Sequence, residues 1–458
     1  MESVIPSRSQ LSLGELLRKV THMSMGLFAF ALHYLGPAWS LLLAASALAF
    51  NLFLFPRIGG RRLWRESEHA AGTSIGIILY PLSVLILILV FYKRLEIAAA
   101  TWGILAFGDG MASVAGMAIG RRKLPWNPKK SWAGSLAYVF FGTFAAAALL
   151  VWTAPERGYS WAFAFGAAFT TALVAAALES LPQGLDDNLG VPLVSGLFLL
   201  GLVLTQGRWE AFLETEGMPL RLVLAVLLNA ALAGLAYKAR TVDMSGVVAG
   251  FLVGFLIYAF LDWRGYLLLL TFFVIGSACT KFGYKKKAAA KLAQEKGGRR
   301  GARHAIANAG VAVACAMFAA MTPYPILFGL AFAGAFATAA ADTASSEIGQ
   351  LLGRRTFLLL TLRPVPRGTE GAVSVEGTLA GILASVVIAG LGAGLGLFGP
   401  AVGLGIVAVV VAAFLGTTFE SLVGAALEKR QLLDNEALNF LNTLVGALLA
   451  AAFAPLLS

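Results

Sequence analysis

Charge is scarce in this chain, and so are the residues that bind metals most tightly. Only 13% of its 458 residues are Asp, Glu, Lys or Arg, and it has four histidines and two cysteines. Cys279 and Cys315 lie in apolar runs without metal-ligand spacing, and His33, His69 and His304 form none either. His22, at the start of the first apolar run, is expected to pack or to face solvent.

Hydrophobicity stands where charge is missing. The chain is 59% apolar with a mean hydropathy of +0.80, more than a water-soluble core can bury. The fold class is therefore all-α: a polytopic integral membrane protein. Apolar runs of roughly 17 to 25 residues, the length of a spanning helix, recur about fifteen times. In the first half they lie at 20–36, 38–55, 71–91, 95–119, 132–153, 160–178 and 189–206. In the second half they lie at 219–237, 244–261, 264–280, 305–320, 324–341, 377–396, 399–418 and 437–456. The first run lacks a convincing cleavage site and is read as a retained span.

Basic residues test this count. With the N-terminus in the cytoplasm, alternate loops turn inward and hold 29 of the 35 lysines and arginines. The net charge of +11 then reflects loops facing an anionic leaflet, and nucleic-acid binding is not needed. The strongest basic run, KFGYKKKAAAKLAQEKGGRRGARH, reads first as a solvated, lipid-contacting helix and second as a contributor to phosphate binding. The expected location is a bacterial or archaeal plasma membrane with cytoplasmic active sites.

Two stretches break the apolar pattern in the same way. FGDGMASVAGMAIGRR at 107–122 and AADTASSEIGQLLGRR at 340–355 share the spacing D-x3-S-x2-G-x3-G-R-R. On a helix these positions fall within roughly 60° of one another, so Asp109, Ser113, Gly116 and Gly120 form one stripe, and Asp342, Ser346, Gly349 and Gly353 another. Each stripe is followed by a basic loop and by S-x2-G-[ST]-L-A, at Ser131 and at Ser374. Each half also carries Glu-Ser, at Glu179 and Glu420, and then Asp-Asn. The shared order points to duplication, with a boundary near residue 210 and domains of 1–210 and 211–458.

Glycines in such stripes serve helix packing, but an ionised carboxylate inside hydrocarbon faces a cavity, a partner or an ion. Acids from several helices beside Arg and Lys suit the phosphates of a nucleotide carried with Mg²⁺. The first-half candidates are Asp109, Glu179 and Asp187 for catalysis, with Asp109, Asp186 and Asp187 for metal. Arg121, Arg122, Lys129, Lys130, Ser131 and Gly134 are the candidates for phosphate, the last two at a helix N-terminus. The second half offers Asp342, Glu347 and Glu420 for catalysis and Asp342 and Asp434 for metal. Its phosphate candidates are Arg354, Arg355, Arg363, Arg367, Gly368, Thr369, Ser374 and Gly377. The glycine run GLGAGLGLFG at 390–399 has no preceding strand and is read as helix packing.

At these residues the first half resembles the dolichol kinase and phytol kinase family, through ELLRKVTHMSMG, FGDGMASVAGMAIGRR, KKSWAGSLA and the ES…DDNLGVP segment. The second half resembles the membrane family that includes the phytyl-phosphate kinase of plant vitamin E synthesis, through ADTASSEIG, RPVPRGTEGAVSVEGTLAG, FFVIGSACTKFG, RHAIANAG and ALNFLNT. It departs at FESLVGA, where Glu420 stands for an expected Asp. Together the resemblances imply two consecutive phosphorylations: a prenyl alcohol such as phytol, geranylgeraniol or farnesol to its monophosphate, then to the diphosphate. They imply CTP or another nucleoside triphosphate as donor and the lipid bilayer as host. The readings from other classes are a two-halved transporter with acids on broken helices, and cytidylyl transfer to a lipid phosphate with a single active half.

Overall fold

The structure, a computed structural model, describes residues 13–58, 75–180, 187–290, 299–369, 371–427 and 435–457. It comprises two compact units, Met1–Gln206 and Gly207–Ser458.

In the first unit, α1 (Leu13–Gly26) runs into a 3-10 turn (Leu27–His33), and α2 (Pro37–Ala49) starts with Pro37 in its first turn after an extended Gly36. Next come α3 (Ile75–Val90) and α4 (Leu95–Gly103). A π turn, Ile104–Gly108, joins α4 to α5 (Asp109–Ile119), so that the three form one 25-residue apolar span. A hairpin of β1 (Lys123–Leu124) and β2 (Asn127–Ser131) leads into α6 (Trp132–Thr153), α7 (Trp161–Ser180) and α8 (Asp187–Leu204). Alanines at 98, 99, 100, 146, 147, 172 and 175 are almost fully buried between α4, α6 and α7. Small side chains let these backbones approach closely, which is how helices associate where lipid is as apolar as protein.

The second unit contains α9 (Trp209–Leu213), α10 (Met218–Lys238), α11 (Met244–Lys281), α12 (Tyr284–Ala289), α13 (Ala302–Met321) and α14 (Pro325–Leu352). A second hairpin, β3 (Thr356–Leu358) and β4 (Ala372–Ser374), precedes α15 (Val375–Gly394), α16 (Val402–Leu427) and α17 (Asn435–Ala452). The core helix is α14, with 78% of its apolar window buried. Phe332, Phe336 and its alanines pack against α11, α13, α15 and α17.

Among the described residues, eleven helices are long and apolar enough to cross a membrane, and Gly76–Val90 and Asn188–Leu204 are shorter apolar helices. This confirms an all-α membrane protein and alters the expected tally of about fifteen. The difference lies in irregular segments. The run at 20–36 is divided between α1 and the 3-10 turn. The runs at 244–261 and 264–280 are joined as the 38 residues of α11, about 57 Å if straight and nearly twice a hydrocarbon core. They are not straight, because Leu261 and Asp262 leave helical geometry and Asp262 takes φ 51°. The chain folds back there: the Tyr258 and Tyr266 rings lie 5.5 Å apart, and a Cβ on Gly254 would lie 3.1 Å from the Tyr266 ring. The Asp262 carboxylate stabilises the turn by accepting from the Arg264 amide at 2.8 Å.

Candidate active sites

In the first unit Asp109 follows the π turn directly, a kind of irregularity frequent at functional sites. Lys19, from α1, donates to Asp109 Oδ2 at 3.0 Å. His22, one turn further along α1, places Nε2 3.7 Å from the same oxygen and 3.1 Å from the Leu105 carbonyl of the π turn. The Tyr80 ring packs 4.4 Å from the His22 ring, and its hydroxyl accepts from the Trp102 indole at 2.9 Å. α1, α3, α4 and α5 thus converge on one carboxylate.

The second acid, Glu179 at the end of α7, is buried and ion-paired with Lys130. The hairpin sets that pairing. Trp126 donates to the Ser180 hydroxyl at 3.1 Å, and the buried Asn127 amide donates to the Ser180 carbonyl at 3.1 Å. Lys130 is therefore held over the C-terminal end of α7, where a cation also meets the negative end of the helix dipole. Asp109 and Glu179 lie within electrostatic reach of each other, with Lys19 and Lys130 acting on both.

The Ser-Gly elements have a structural task. Ser131 caps α6, accepting from the Gly134 amide at 3.2 Å, and Gly116 and Gly120 give it room: a Cβ on Gly120 would lie 2.5 Å from Ser131 Oγ. The same local geometry surrounds Ser374. It accepts from the Gly377 amide at 3.1 Å, beside Gly349 and Gly353, and its backbone angles match those of Ser131 within a few degrees. The donors expected for phosphate at Gly134 and Gly377 are thus engaged in the caps.

In the second unit Asp342 and Ser346 lie one turn apart on α14, and Asp342 interacts with both Ser346 and Glu420 of α16. Two carboxylates in that contact require a proton or a cation between them. Asn442 of α17 donates to Glu420, while Asn439, in the amide orientation that satisfies its neighbours, donates to Glu420 Oε1 at 3.2 Å. The buried Asn442 Oδ1 has no partner among the described residues. Gly416 keeps this space open, since a Cβ there would lie 3.0 Å from Asn442 Oδ1.

Glu347 departs from the expected grouping. It is ion-paired with Lys287, both side chains being at most 5% exposed, and Lys287 also donates to the Cys279 and Thr280 carbonyls at 3.1 and 3.0 Å. This corrects the reading of the basic run as wholly solvated. A buried ammonium is tolerable only with a carboxylate and carbonyls around it. Arg300, of the same run, is also buried; burial lowers its pKa and the nearby Glu347 carboxylate opposes that shift.

The remaining expected residues are dispersed. Arg121, Arg122, Lys129, Arg354, Arg355, Arg363 and Arg367 are exposed, and none makes an ion pair among the described residues. Arg367 donates to the Leu351 carbonyl at 3.5 Å. Gly368 takes φ 83°, and the Thr369 hydroxyl donates to the Pro366 carbonyl at 2.9 Å. Asp187 begins α8, and Asp186 and Asp434 lie outside the described residues. Among the described residues no group of three His, Cys, Asp or Glu side chains is placed to hold a metal. Sequence reasoning missed Lys19, Lys287, Asn439 and Asn442. The available signals were Lys19 and His22 one turn apart, and two asparagines three positions apart in an apolar helix.

These features define an α-helical integral membrane protein with buried acid sites. Residues 227–447 match the model of the integral membrane protein DUF92 family. An uncharacterized membrane protein of Synechocystis is 43% identical over 236 residues, 49% of this chain and 88% of that relative. The chain belongs to this family. Protein VTE6 of Arabidopsis thaliana chloroplasts is 38% identical over 45% of this chain and 63% of its own length. Chloroplastic phytol kinase 1 of the same plant is 29% identical over 40% of this chain and 64% of its own length. The chain thus spans less than two thirds of either plant relative. No solved structure matches it.

Proposed function

We propose that the protein is a prenol and prenyl-phosphate kinase, with two related units that act in sequence. The first unit phosphorylates an isoprenoid alcohol and the second extends the monophosphate to a diphosphate, each from CTP or another nucleoside triphosphate. In each step the substrate oxygen bonds to the γ-phosphorus and the bond from that phosphorus to the β-phosphate oxygen breaks. Nucleoside diphosphate leaves, and in the first step the hydroxyl proton passes to an acid of the Asp109–Glu179 pair. Lys19 and Lys130 hold these acids and lie ready to meet phosphate oxygens.

The observation that carries this reading is the recurrence of one device. In each unit an aspartate on a helix lies beside a glycine-packed, serine-capped helix start and a glutamate of another helix, Glu179 in the first and Glu420 in the second. The likeness to plant phytol kinases supports the chemistry assigned to it. The active sites face the cytoplasm in this reading, where the nucleotide is, while the isoprenoid stays in the bilayer.

A divalent cation such as Mg²⁺ fits the second unit, because Asp342 and Glu420 offer carboxylate oxygens of the kind hard cations take and, among the described residues, no lysine or arginine is paired with them. Bound there, it would supply positive charge against the nucleotide phosphates. The described acids of the first unit are already paired with lysines and fit a metal less well.

The test is turnover. Purified full-length protein is given labelled nucleotide, Mg²⁺ and either a prenyl alcohol or its monophosphate, and the lipid products are separated. Monophosphate from the alcohol and diphosphate from the monophosphate, with release of nucleoside diphosphate, are expected. Absence of both products, or release of pyrophosphate, overturns the reading.

A further inference from the structure

A groove in the second unit runs between α10, the two arms of α11 and α13. It encloses about 820 Å³ of empty space, counting the open solvent at its mouth. Leu232, Val247, Leu269, Leu270, Phe272 and Phe273 give it an apolar lining. Arg300, His304 and Asn308 also border it, though nearly all of the surface it exposes is apolar.

Arg300 is 7% exposed, and its Nη2 has no hydrogen-bond partner among the described residues. Its backbone is fixed, since its amide donates to the Thr241 carbonyl at 3.0 Å and its carbonyl accepts from the Asp243 amide at 3.2 Å. Its guanidinium lies against Gly276, where a Cβ would lie 2.6 Å from Nη2. Glycine at 276 therefore makes the space for it. Glu347, whose Oε1 is another buried atom without a partner among the described residues, is an electrostatic neighbour of Arg300. The Asn308 amide nitrogen lies 2.9 Å from the His304 carbonyl and 3.2 Å from His304 Nδ1; with that amide as donor, the other ring nitrogen of a neutral imidazole carries the proton.

Charge decides what belongs there. Lys287, Arg300 and Glu347 leave one positive charge uncompensated in a buried setting, and buried charge is costly until it is paired. An anion with an apolar tail answers both the charge and the lining. Glu347 is also an electrostatic neighbour of Asp342, one of the acids assigned to the second phosphorylation.

We infer that this groove holds the acceptor of the second unit, a single-chain isoprenyl monophosphate with its tail along the apolar lining and its phosphate toward Arg300. The inference rests on the kinase reading for its place in the reaction, but the binding stands by itself. Arg300 is a binding residue for the phosphate.

Binding is measured on the full-length protein in lipid nanodiscs by the shift in unfolding temperature and by titration with geranylgeranyl monophosphate. Geranylgeraniol, inorganic phosphate and a diacyl phosphatidic acid serve as comparisons. The monophosphate is expected to bind, and the other three to bind at least roughly tenfold more weakly. R300Q should lose roughly ten- to a hundredfold in affinity, the value of a charge-assisted contact, and Arg300→Lys should recover part of it. A Cβ on Gly250, in the wall of the groove, meets nothing within 4 Å, so a side chain has room to start there and Gly250→Phe should obstruct the tail, with its unfolding temperature checked against wild type. It should weaken the twenty-carbon ligand more than a five-carbon monophosphate. Equal affinity in wild type and Gly250→Phe, or preference for phosphatidic acid or free phosphate, overturns the inference even if diphosphate is still made. Tight, Arg300-dependent binding in a protein that makes no diphosphate would instead overturn the kinase reading alone.

Discussion

Lys19 and Asp109 stand 90 positions apart in sequence and 3.0 Å apart in space, so the amphipathic start of the chain closes the first site. Removing the carboxylate's charge is the simplest test of that site. Asp109→Asn should lower formation of prenyl monophosphate by roughly a hundredfold or more, the scale for an electrostatic group acting on the reacting centre, and leave diphosphate formation from added monophosphate intact. Labelled-product assays with each acceptor separate the two effects.

The pair Asp342–Glu420 predicts the converse. Asp342→Asn should abolish conversion of monophosphate to diphosphate and leave the first step intact. Glu420→Gln should do the same, with Glu420→Asp retaining part of the activity because the charge is kept while the reach shortens. If all three variants make diphosphate at the wild-type rate, the site is elsewhere.

Chelation gives a third check. With EDTA the second step should stop and return on addition of Mg²⁺, since among the described residues its acids have no cationic side chain bonded to them as Asp109 and Glu179 do. Product assays on the monophosphate alone read this directly.

The buried Lys287–Glu347 pair is a matter of stability. Removing the carboxylate, as in Glu347→Gln, should cost about 3–5 kcal/mol because it strands two buried cations, Lys287 and Arg300. Lys287→Met should cost less, because Arg300 remains to offset Glu347. Unfolding in detergent, followed by circular dichroism, distinguishes this from a pair that contributes little.

Gly371 combines φ 72° with a Cβ position 2.5 Å from the Ala425 amide nitrogen and 2.7 Å from the Ser421 carbonyl oxygen. Gly371→Ala should therefore destabilise by about 1–3 kcal/mol, lowering the unfolding temperature, and should loosen the second hairpin from α16.

Much of this was legible in the sequence because it is periodic. The spacing of Asp109, Ser113, Gly116 and Gly120 fixes one helix face whatever the tertiary packing, and the capping serines announce the helices they begin. Most spans followed from length and hydropathy. Pairings between distant helices were not legible, since no local pattern says which lysine of KKK turns inward or that Asn442 reaches Glu420. The glycines and serines read as phosphate ligands carry a related ambiguity: the short side chain that can greet a ligand also suits a helix cap, and here the Gly134 and Gly377 amides donate to Ser131 and Ser374.

The hairpin over Glu179 carries a further consequence. Trp126 is hydrogen-bonded to Ser180, and its ring stands edge-on to Trp132 at 5.6 Å. Any shift of that loop away from α7 breaks an indole contact and changes the coupling between two fluorophores. The molecule thereby holds an intrinsic optical gauge of whether its first site is latched or released.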